Sequence, residues 1–185
     1  MISENVSSAD NQQERALLVD VRYLSYYLAG FADGEGCFSV SIQRRKTKLC
    51  WYVNPFFQVY QHKDNAYVLH VFKKILKCGY ISEKGGNPAC HVYCVDKLDD
   101  LITKIIPFFE KHKLIGEKYN NFLIFKEVIR RMQNKEHLTS SGFEEIVKLI
   151  FTMNKNGRYR KISLNEILST IGQSSETKRQ TLSSA

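Results

Sequence analysis

The stretch Leu28–Gly36, LAGFADGEG, places two carboxylates, Asp33 and Glu35, among three glycines. It closes a run so rich in apolar residues that we expect a helix buried on most faces, ended by Gly34 and Gly36. The last turn of a helix has free carbonyl groups and the negative end of the macrodipole. Glu35 would add a carboxylate there, and a cluster of oxygen ligands suits a hard cation such as Mg²⁺.

Composition bounds the class of protein. The chain has 185 residues, 43% of them hydrophobic, with a formal net charge of +8. These values predict one globular domain over residues 18–172, with a flexible lead at 1–17 and a disordered tail at 173–185. The basic excess favours an anionic partner, with nucleic acid ahead of a membrane surface. No apolar run approaches the length of a membrane span, and the polar N-terminus does not resemble a secretory signal.

The cysteines are odd in number and follow no metal-finger spacing. We interpret them as reduced thiols of an intracellular protein rather than as a disulfide framework or a zinc site. They are Cys37, Cys50, Cys78, Cys90 and Cys94.

The order of elements predicts the fold class. A helix over 21–32 precedes two strands, 38–45 and 51–62, with Pro55 marking a bulge or an edge. A helix over 65–76, capped by Asp64 or Asn65, leads to a hairpin of 79–84 and 89–95. Helices follow over 97–112, which Pro107 interrupts or kinks, and over 116–132 and 141–153. We therefore expect an α+β fold with a four-stranded antiparallel sheet and helices on one face.

These features carry a specific resemblance. LAGFADGEG resembles the signature of the LAGLIDADG homing endonucleases, and the element order is similar to their αββαββα core. The segment FFQVYQHKDN, residues 56–65, is similar to the second-strand pattern of the family. The likeness covers roughly residues 20–150, and it implies a saddle-shaped sheet.

The resemblance also implies an activity. It implies an intron-encoded, site-specific double-strand DNA endonuclease that hydrolyses phosphodiesters with a divalent metal. The target would be long and near-palindromic, cut across the minor groove to leave short 3′ overhangs. The motif occurs once, which in this family implies a homodimer. Small residues, Ala29, Gly30, Gly34 and Gly36, would let two such helices approach closely.

Catalytic roles follow from the same resemblance. Glu35 stands where the family name has Asp, and it would bind metal together with the carbonyl of Gly34. Gln61 would order the attacking water, and Lys118, with Lys113 as the alternative, would stabilise charge on the phosphate. Asp33 is expected to be structural, with hydrogen bonds at the helix end.

DNA contacts are expected from the polar side of the sheet, because a two-stranded ribbon fits the major groove. The simpler alternative is a half-exposed sheet whose polar residues face water. The basic run over 154–161 is either ordinary surface or an additional contact to the DNA backbone. The predicted contacts are Ser39, Ser41, Gln43 and Arg45 on the first strand, Gln58, Tyr60 and His62 on the second, Tyr80, Ser82, Lys84, His91 and Tyr93 on the second hairpin, and Arg44, Lys46 and Lys48 in the first loop.

Two other functions remain open from the sequence. The same fold could bind intron RNA as a maturase, or it could bind DNA as a repressor with an inactive site. Neither the target nor the compartment, organelle or bacterial cytoplasm, follows from the sequence.

Overall fold

The computed structural model describes residues 20–46, 49–156 and 160–171. The predicted lead and tail and Lys48 lie outside these ranges, so the predictions for them, and the domain bounds that depend on them, stay predictions. No helix in the described ranges is long and apolar enough to cross a membrane. The elements are α1 (Val21–Glu35), β1 (Gly36–Arg44), β2 (Trp51–His62), α2 (Tyr67–Leu76), β3 (Tyr80–Lys84), β4 (Asn87–Val95), α3 (Leu98–Asp100), α4 (Ile106–Lys111), α5 (Lys118–Gln133), α6 (Ser140–Asn156) and α7 (164–171).

The strands form one four-stranded sheet in the order β1-β2-β4-β3. β4 pairs antiparallel with both neighbours, placing Phe57 opposite Val95 and Tyr80 opposite Cys94. The predicted α+β fold is confirmed. Pairing of β2 with β4 begins at Phe57, two residues after Pro55, so this proline lies where β2 has no partner on that side.

By its contacts the chain divides into two compact units. One takes in the chain up to Cys37 and Phe57–Tyr119, and the other takes in Phe38–Phe56 and the chain from Asn120. In the first unit, aromatic rings from sheet and helices form the core. Phe57 lies 5.2 Å from Phe109 and 6.3 Å from Phe72 between ring centroids.

The helix α1 differs from the sequence prediction in two ways. It continues through Gly34 and ends at Glu35, where the N–H of Gly36 donates to the carbonyl of Ala32. A Cβ at Gly36 would lie 2.5 Å from that carbonyl oxygen, so only glycine fits at this join between α1 and β1. Burial on most faces is also wrong, because the exposed fraction of Tyr23 is 71%.

In the second unit, Phe38 of β1 packs against Phe122 and Phe125 of α5, with centroid separations of 5.3 and 5.5 Å. The amide of Asn154, in α6, donates to the carbonyl oxygen of Phe38 at 3.1 Å. The helix α7 was not predicted as a separate element. Its buried residue Ile167 is fully covered in the described structure.

Two local predictions have different outcomes. A π-helical turn, Leu101–Ile105, joins α3 to α4 just before Pro107, so the helix is distorted near that proline rather than interrupted. The capping prediction is wrong: Lys63–Asn65 form a 3₁₀ turn, and α2 starts after Ala66 without a side-chain cap.

Candidate active site and nucleic-acid interface

The C-terminal end of α1 meets the start of α5 through one lysine. The Lys118 ammonium nitrogen lies 2.7 Å from the carbonyl oxygen of Asp33 and 2.6 Å from that of Gly34. Carbonyls in the last turn of a helix lack intrahelical donors, and a cation at that end is favoured by the macrodipole. The structure thus brings together Lys118 and Gly34, two of the predicted site residues.

Asp33 ties the loop before α5 to α1. Its Oδ2 accepts hydrogen bonds from the backbone N–H groups of Ile115, at 3.0 Å, and Gly116, at 2.7 Å. A Cβ at Gly116 would lie 2.9 Å from Asp33 Oδ1, which explains the glycine. Asp33 therefore has a structural contact, but with this loop rather than with the end of its own helix. Because the loop leads into Lys118, Asp33 also orients that lysine.

Glu35 is exposed and follows the Gly34 carbonyl directly. Within the described ranges, no hydrogen bond or ion pair engages its carboxylate. Lys113 is also exposed, and it makes none of the carbonyl contacts that Lys118 makes. Burial raises the pKa of the neighbouring Cys37 thiol, and the positive charge of Lys118 partly opposes that shift.

Oxygen atoms make up the donor set at this end of α1. They are the Glu35 carboxylate and the Gly34 carbonyl, and both are of the type that Mg²⁺ prefers. Among the described residues, no group of three or more His, Cys, Asp or Glu side chains could hold a metal ion.

Gln61 lies near the end of β2, opposite His91 of β4. Its side-chain oxygen accepts a hydrogen bond of 2.7 Å from the backbone N–H of His62. No hydrogen bond in the described part of the chain joins Gln61 to Glu35 or Lys118. Its predicted role in ordering water therefore stays a prediction.

The polar side of the sheet largely follows the predicted alternation. Buried Phe38 and Val40 alternate with partly exposed residues on β1, and buried Phe57 and Val59 do the same on β2. The predicted contacts that lie on the polar side are Ser39, Ser41, Gln43, Gln58, Tyr60, His62, Tyr80, Ser82 and Lys84.

Tyr93 is a core residue, so its predicted DNA contact is wrong. It is fully buried, its ring stacks on Phe72 at 5.8 Å, and its hydroxyl donates to the carbonyl of Cys78 at 3.1 Å. This burial raises the pKa of Tyr93. The register pairs Tyr93 with Val59, on the core side.

His91 shares the alternation of Tyr93 and lies opposite Gln61, so its assignment to the polar side is also wrong. The polar side of β4 instead holds Cys90, Val92 and Cys94. Four successive residues, 92–95, are buried. In such a strand the polarity of side chains does not indicate which side faces outward, and only the register does.

A hydrogen-bonded network connects side chains of this polar side. The Tyr60 hydroxyl donates to the side-chain oxygen of Gln58 at 2.7 Å, and the Gln58 amide donates to the Cys94 sulfur at 3.5 Å. The Lys84 ammonium lies 5.0 Å from the centre of the Tyr60 ring. Burial, aided by the nearby thiols of Cys37, Cys94 and Cys90, raises the pKa of Tyr60.

In the first hairpin, one basic residue lies in the strand rather than in the loop where it was predicted. Arg44 is the last residue of β1 rather than part of the loop, and it pairs with Glu166 of α7 at 2.9 Å. Arg45 and Lys46 are exposed beyond the strand. The prediction missed three half-buried residues of β2 that share the alternation of Gln58: Tyr52, Asn54 and Phe56. The sequence did indicate them, because the alternation of apolar and polar positions on β2 begins at Trp51.

Comparison with known proteins agrees with this geometry. Residues 28–129 match the family profile described as LAGLIDADG endonuclease. The chain is 31% identical to "Homing endonuclease I-ApeII" of Aeropyrum pernix, over 83% of this chain and 93% of that protein. It is 35% identical to "Probable intron-encoded endonuclease 2" of Neurospora crassa, over 66% of this chain. It spans about a quarter of the length of that protein and of a second Neurospora crassa relative.

One solved structure is similar over most of this chain. The archaeal intron-encoded homing endonuclease I-Vdi141I, complexed with DNA, superposes with a TM-score of 0.78 and 35% identity. The similarity covers 84% of this chain and 99% of that chain. The family profile covers more than half of the chain and includes the end of α1 and Lys118. The resemblance noted from LAGFADGEG is confirmed, and the chain belongs to the LAGLIDADG endonuclease family.

Proposed function

We propose that this chain is a site-specific DNA endonuclease that hydrolyses both strands with a divalent cation, Mg²⁺, and acts as a homodimer. The observation that carries this proposal is the end of α1. There the exposed Glu35 carboxylate adjoins the Gly34 carbonyl, which accepts a hydrogen bond from Lys118. A carboxylate that can hold a cation and a fixed ammonium group beside it supply charge stabilisation for phosphodiester hydrolysis.

Glu35 and the Gly34 carbonyl would hold the cation. The fit is supported by the donors, which are oxygen atoms at the negative end of a helix. A carbonyl oxygen has two lone pairs, so Gly34 can accept from Lys118 and still face a cation. When bound, the cation would supply charge stabilisation at the phosphate and an activated water.

The chain's own groups have separate tasks in this proposal. Lys118, whose position is fixed by the Asp33 and Gly34 carbonyls, brings positive charge to a phosphate that gains negative charge. Gln61 would orient the attacking water through its side-chain amide. Asp33 takes no part in the chemistry and maintains the loop that carries Lys118.

The homodimer is supported by an exposed stripe on α1. Tyr23, Tyr27, Gly30 and Gly34 follow one another at intervals of four, three and four residues, and therefore share one helix face. The two tyrosines are more than half exposed, and a Cβ at either glycine would meet nothing within 4 Å. Ala29 lies outside this surface, because it is buried in its own subunit.

Gly36, another of the small residues predicted to let the helices approach, also lies outside the stripe, because it is buried in its own subunit. We propose that a second copy of this chain covers the stripe. Each subunit would then bring one Glu35 to the dimer centre, and the paired polar sheet sides would contact a near-palindromic target.

The proposal is tested by selecting a target from a randomised duplex DNA library with the purified chain, then measuring cleavage of that target. We expect a double-strand cut in Mg²⁺ and none in EDTA. Glu35→Gln should abolish cutting while retaining specific binding. Glu145→Gln, which removes a carboxylate from α6, is the matched control and should cut normally.

Other outcomes would identify the rival functions. Preference for structured intron RNA over every duplex would indicate a maturase. Tight, sequence-specific duplex binding without any metal-dependent cut would indicate a repressor. Equal cutting by the parent chain and Glu35→Gln would contradict the assigned role of Glu35.

A further inference from the structure

Two adjacent arginines lie at the end of the first strand, Arg44 as its last residue and Arg45 just beyond it, and their surroundings differ. Arg44 follows the alternation of Phe38 and Val40, the core side of β1, and its guanidinium carbon lies 5.1 Å from the centre of the buried Trp51 ring. Arg45 follows the opposite alternation. Its guanidinium carbon lies 4.5 Å from the centre of the Tyr52 ring, on the polar side.

Arg44 already has an anionic partner. Its Nη2 lies 2.9 Å from Glu166 Oε1, and α7, which carries Glu166, is itself held in place. The Ser163 hydroxyl accepts a hydrogen bond from the Glu166 N–H, and Ile167 is fully buried. In a capping box the glutamate at this position of a helix bonds back to the capping serine, whereas here its side chain pairs with Arg44.

A second arginine attaches the same segment to β1. Arg160 donates to the carbonyl oxygens of Val40, at 3.1 Å, and Ile150, at 3.3 Å. The contacts of Arg160 and Arg44 therefore lie along one strand and anchor the segment 160–171 to it. To reach DNA, Arg44 would have to give up its carboxylate, and this opposes a role in base recognition.

Arg45 has no carboxylate partner within the described ranges, and it is exposed. A ring face attracts a guanidinium without supplying acceptor oxygens, so the five N–H donors of Arg45 remain available. The backbone is fixed as well, because the Arg45 N–H donates to the carbonyl of Cys50 at 3.0 Å and closes the hairpin. A guanidinium held in this way loses little rotamer freedom when it binds.

We propose that Arg45 is a specificity-determining residue that reads a guanine in the major groove, that Tyr52 positions it, and that Arg44 instead anchors α7 and reads no base. Guanine is the base whose O6 and N7 acceptors match a guanidinium in a two-bond contact. The proposal rests on the proposed DNA endonuclease function.

The test uses the full chain and a duplex DNA library with randomised positions, selected by binding in Ca²⁺. We expect the parent to select a G·C pair at one position of each half-site. Arg45→Ala and Arg45→Gln should each lower discrimination at that pair by about tenfold or more, since alanine has no donor and the glutamine amide matches adenine rather than guanine. Arg44→Ala should keep the parental base profile and lower the melting temperature.

Tyr52 supplies the test of positioning. Tyr52→Phe keeps the ring and should keep the profile, whereas Tyr52→Leu should weaken the same base pair that Arg45→Ala weakens. A merely structural role of Tyr52 would lower the melting temperature without that position-specific change. Because Arg45 is exposed, Arg45→Gln should fold normally and keeps the test decisive.

Three results would overturn the proposal. An unchanged profile for Arg45→Gln would remove Arg45 from base reading. If Arg44→Ala loses the preference for the same G·C pair, Arg44 rather than Arg45 reads that base. If all variants weaken binding equally at every position, these residues make phosphate contacts only. If the parent selects no sequence at all, the proposed function itself fails, an outcome distinct from a sharp parental profile that Arg45 variants leave unchanged.

Discussion

Within one subunit, the C-terminal end of α1 is hydrogen-bonded to a neighbouring loop and helix, whereas the exposed stripe of the same helix is left uncovered. At the end, the Asp33 carboxylate and the carbonyls of Asp33 and Gly34 all bond to residues 115–118. Along the stripe, Tyr23 is 71% exposed and the space above Gly30 is open. Lys118, which would act on the phosphate, is thereby fixed before substrate binds, whereas an interface surface must stay open to its partner.

Removing the exposed carboxylate at the end of α1 should have the largest effect of the changes considered, and this effect should be on the rate of cleavage. Glu35→Gln deletes the charged ligand but leaves the Lys118 contacts intact, because those use backbone carbonyls. We expect a loss of about 10³-fold in single-turnover cleavage, since a metal-supported charge contact is worth several kcal/mol in the transition state. Binding of the selected duplex, measured by fluorescence anisotropy, should change little. A variant that cuts within tenfold of the parent would contradict the role.

Removing the lysine should have a smaller effect. Lys118→Ala deletes the only ammonium that contacts the α1 carbonyls among the described residues, and we expect about a 10²-fold slower cleavage step. Lys113→Ala is the matched control, and it should cleave nearly as fast as the parent. If the two lysine variants exchange these outcomes, Lys113 is the catalytic residue and the carbonyl contacts of Lys118 are structural.

Filling the open side of α1 should affect assembly rather than folding. Gly30→Leu places a side chain where the single subunit has only space, and leucine favours a helix over glycine by about 0.8 kcal/mol. We therefore expect a folded subunit whose dimer dissociation constant, from sedimentation equilibrium, rises by about tenfold or more. Gly30→Ala should shift it less. An unchanged dimer would place the interface elsewhere.

Crowding the bonded end should have the smallest effect. In Gly116→Ala the new methyl would lie 2.9 Å from Asp33 Oδ1, so the loop before Lys118 must move. We expect about 1–2 kcal/mol lower unfolding free energy in urea, a usual cost for strained small-to-large changes, and modestly slower cleavage. Gly85→Ala, where a Cβ meets nothing within 4 Å, is the control. Equal stability of the two variants would show that the Asp33 contact does not hold the loop.

Sequence reasoning succeeded where a local rule decides the outcome. The alternation of β1 and β2 follows from strand geometry, and the resemblance led to Lys118, which lies at the α1 end. It failed for Tyr93 and His91, because the buried residues 92–95 of β4 show no alternation of polar and apolar side chains, and only the pairing with β2 reveals which side each residue takes.

The remaining misses depend on contacts distant in sequence. Gly36 is required where α1 joins β1, because a Cβ there would collide with the carbonyl of Ala32. Gly34 lies within the helix, and a Cβ there would meet nothing within 4 Å, so this glycine does not end the helix. The ion pair of Arg44 with Glu166 joins residues 122 positions apart, and no sequence pattern indicates it.

The most direct test of the central claim is to locate the divalent cation. Mn²⁺ can be titrated into the complex of the full chain with its selected duplex and followed by electron paramagnetic resonance, in the parent, Glu35→Gln and Glu145→Gln. If the end of α1 is the metal site, Glu35→Gln should lose bound Mn²⁺ while Glu145→Gln matches the parent. Equal Mn²⁺ binding in all three would contradict the assignment of the catalytic metal to Glu35.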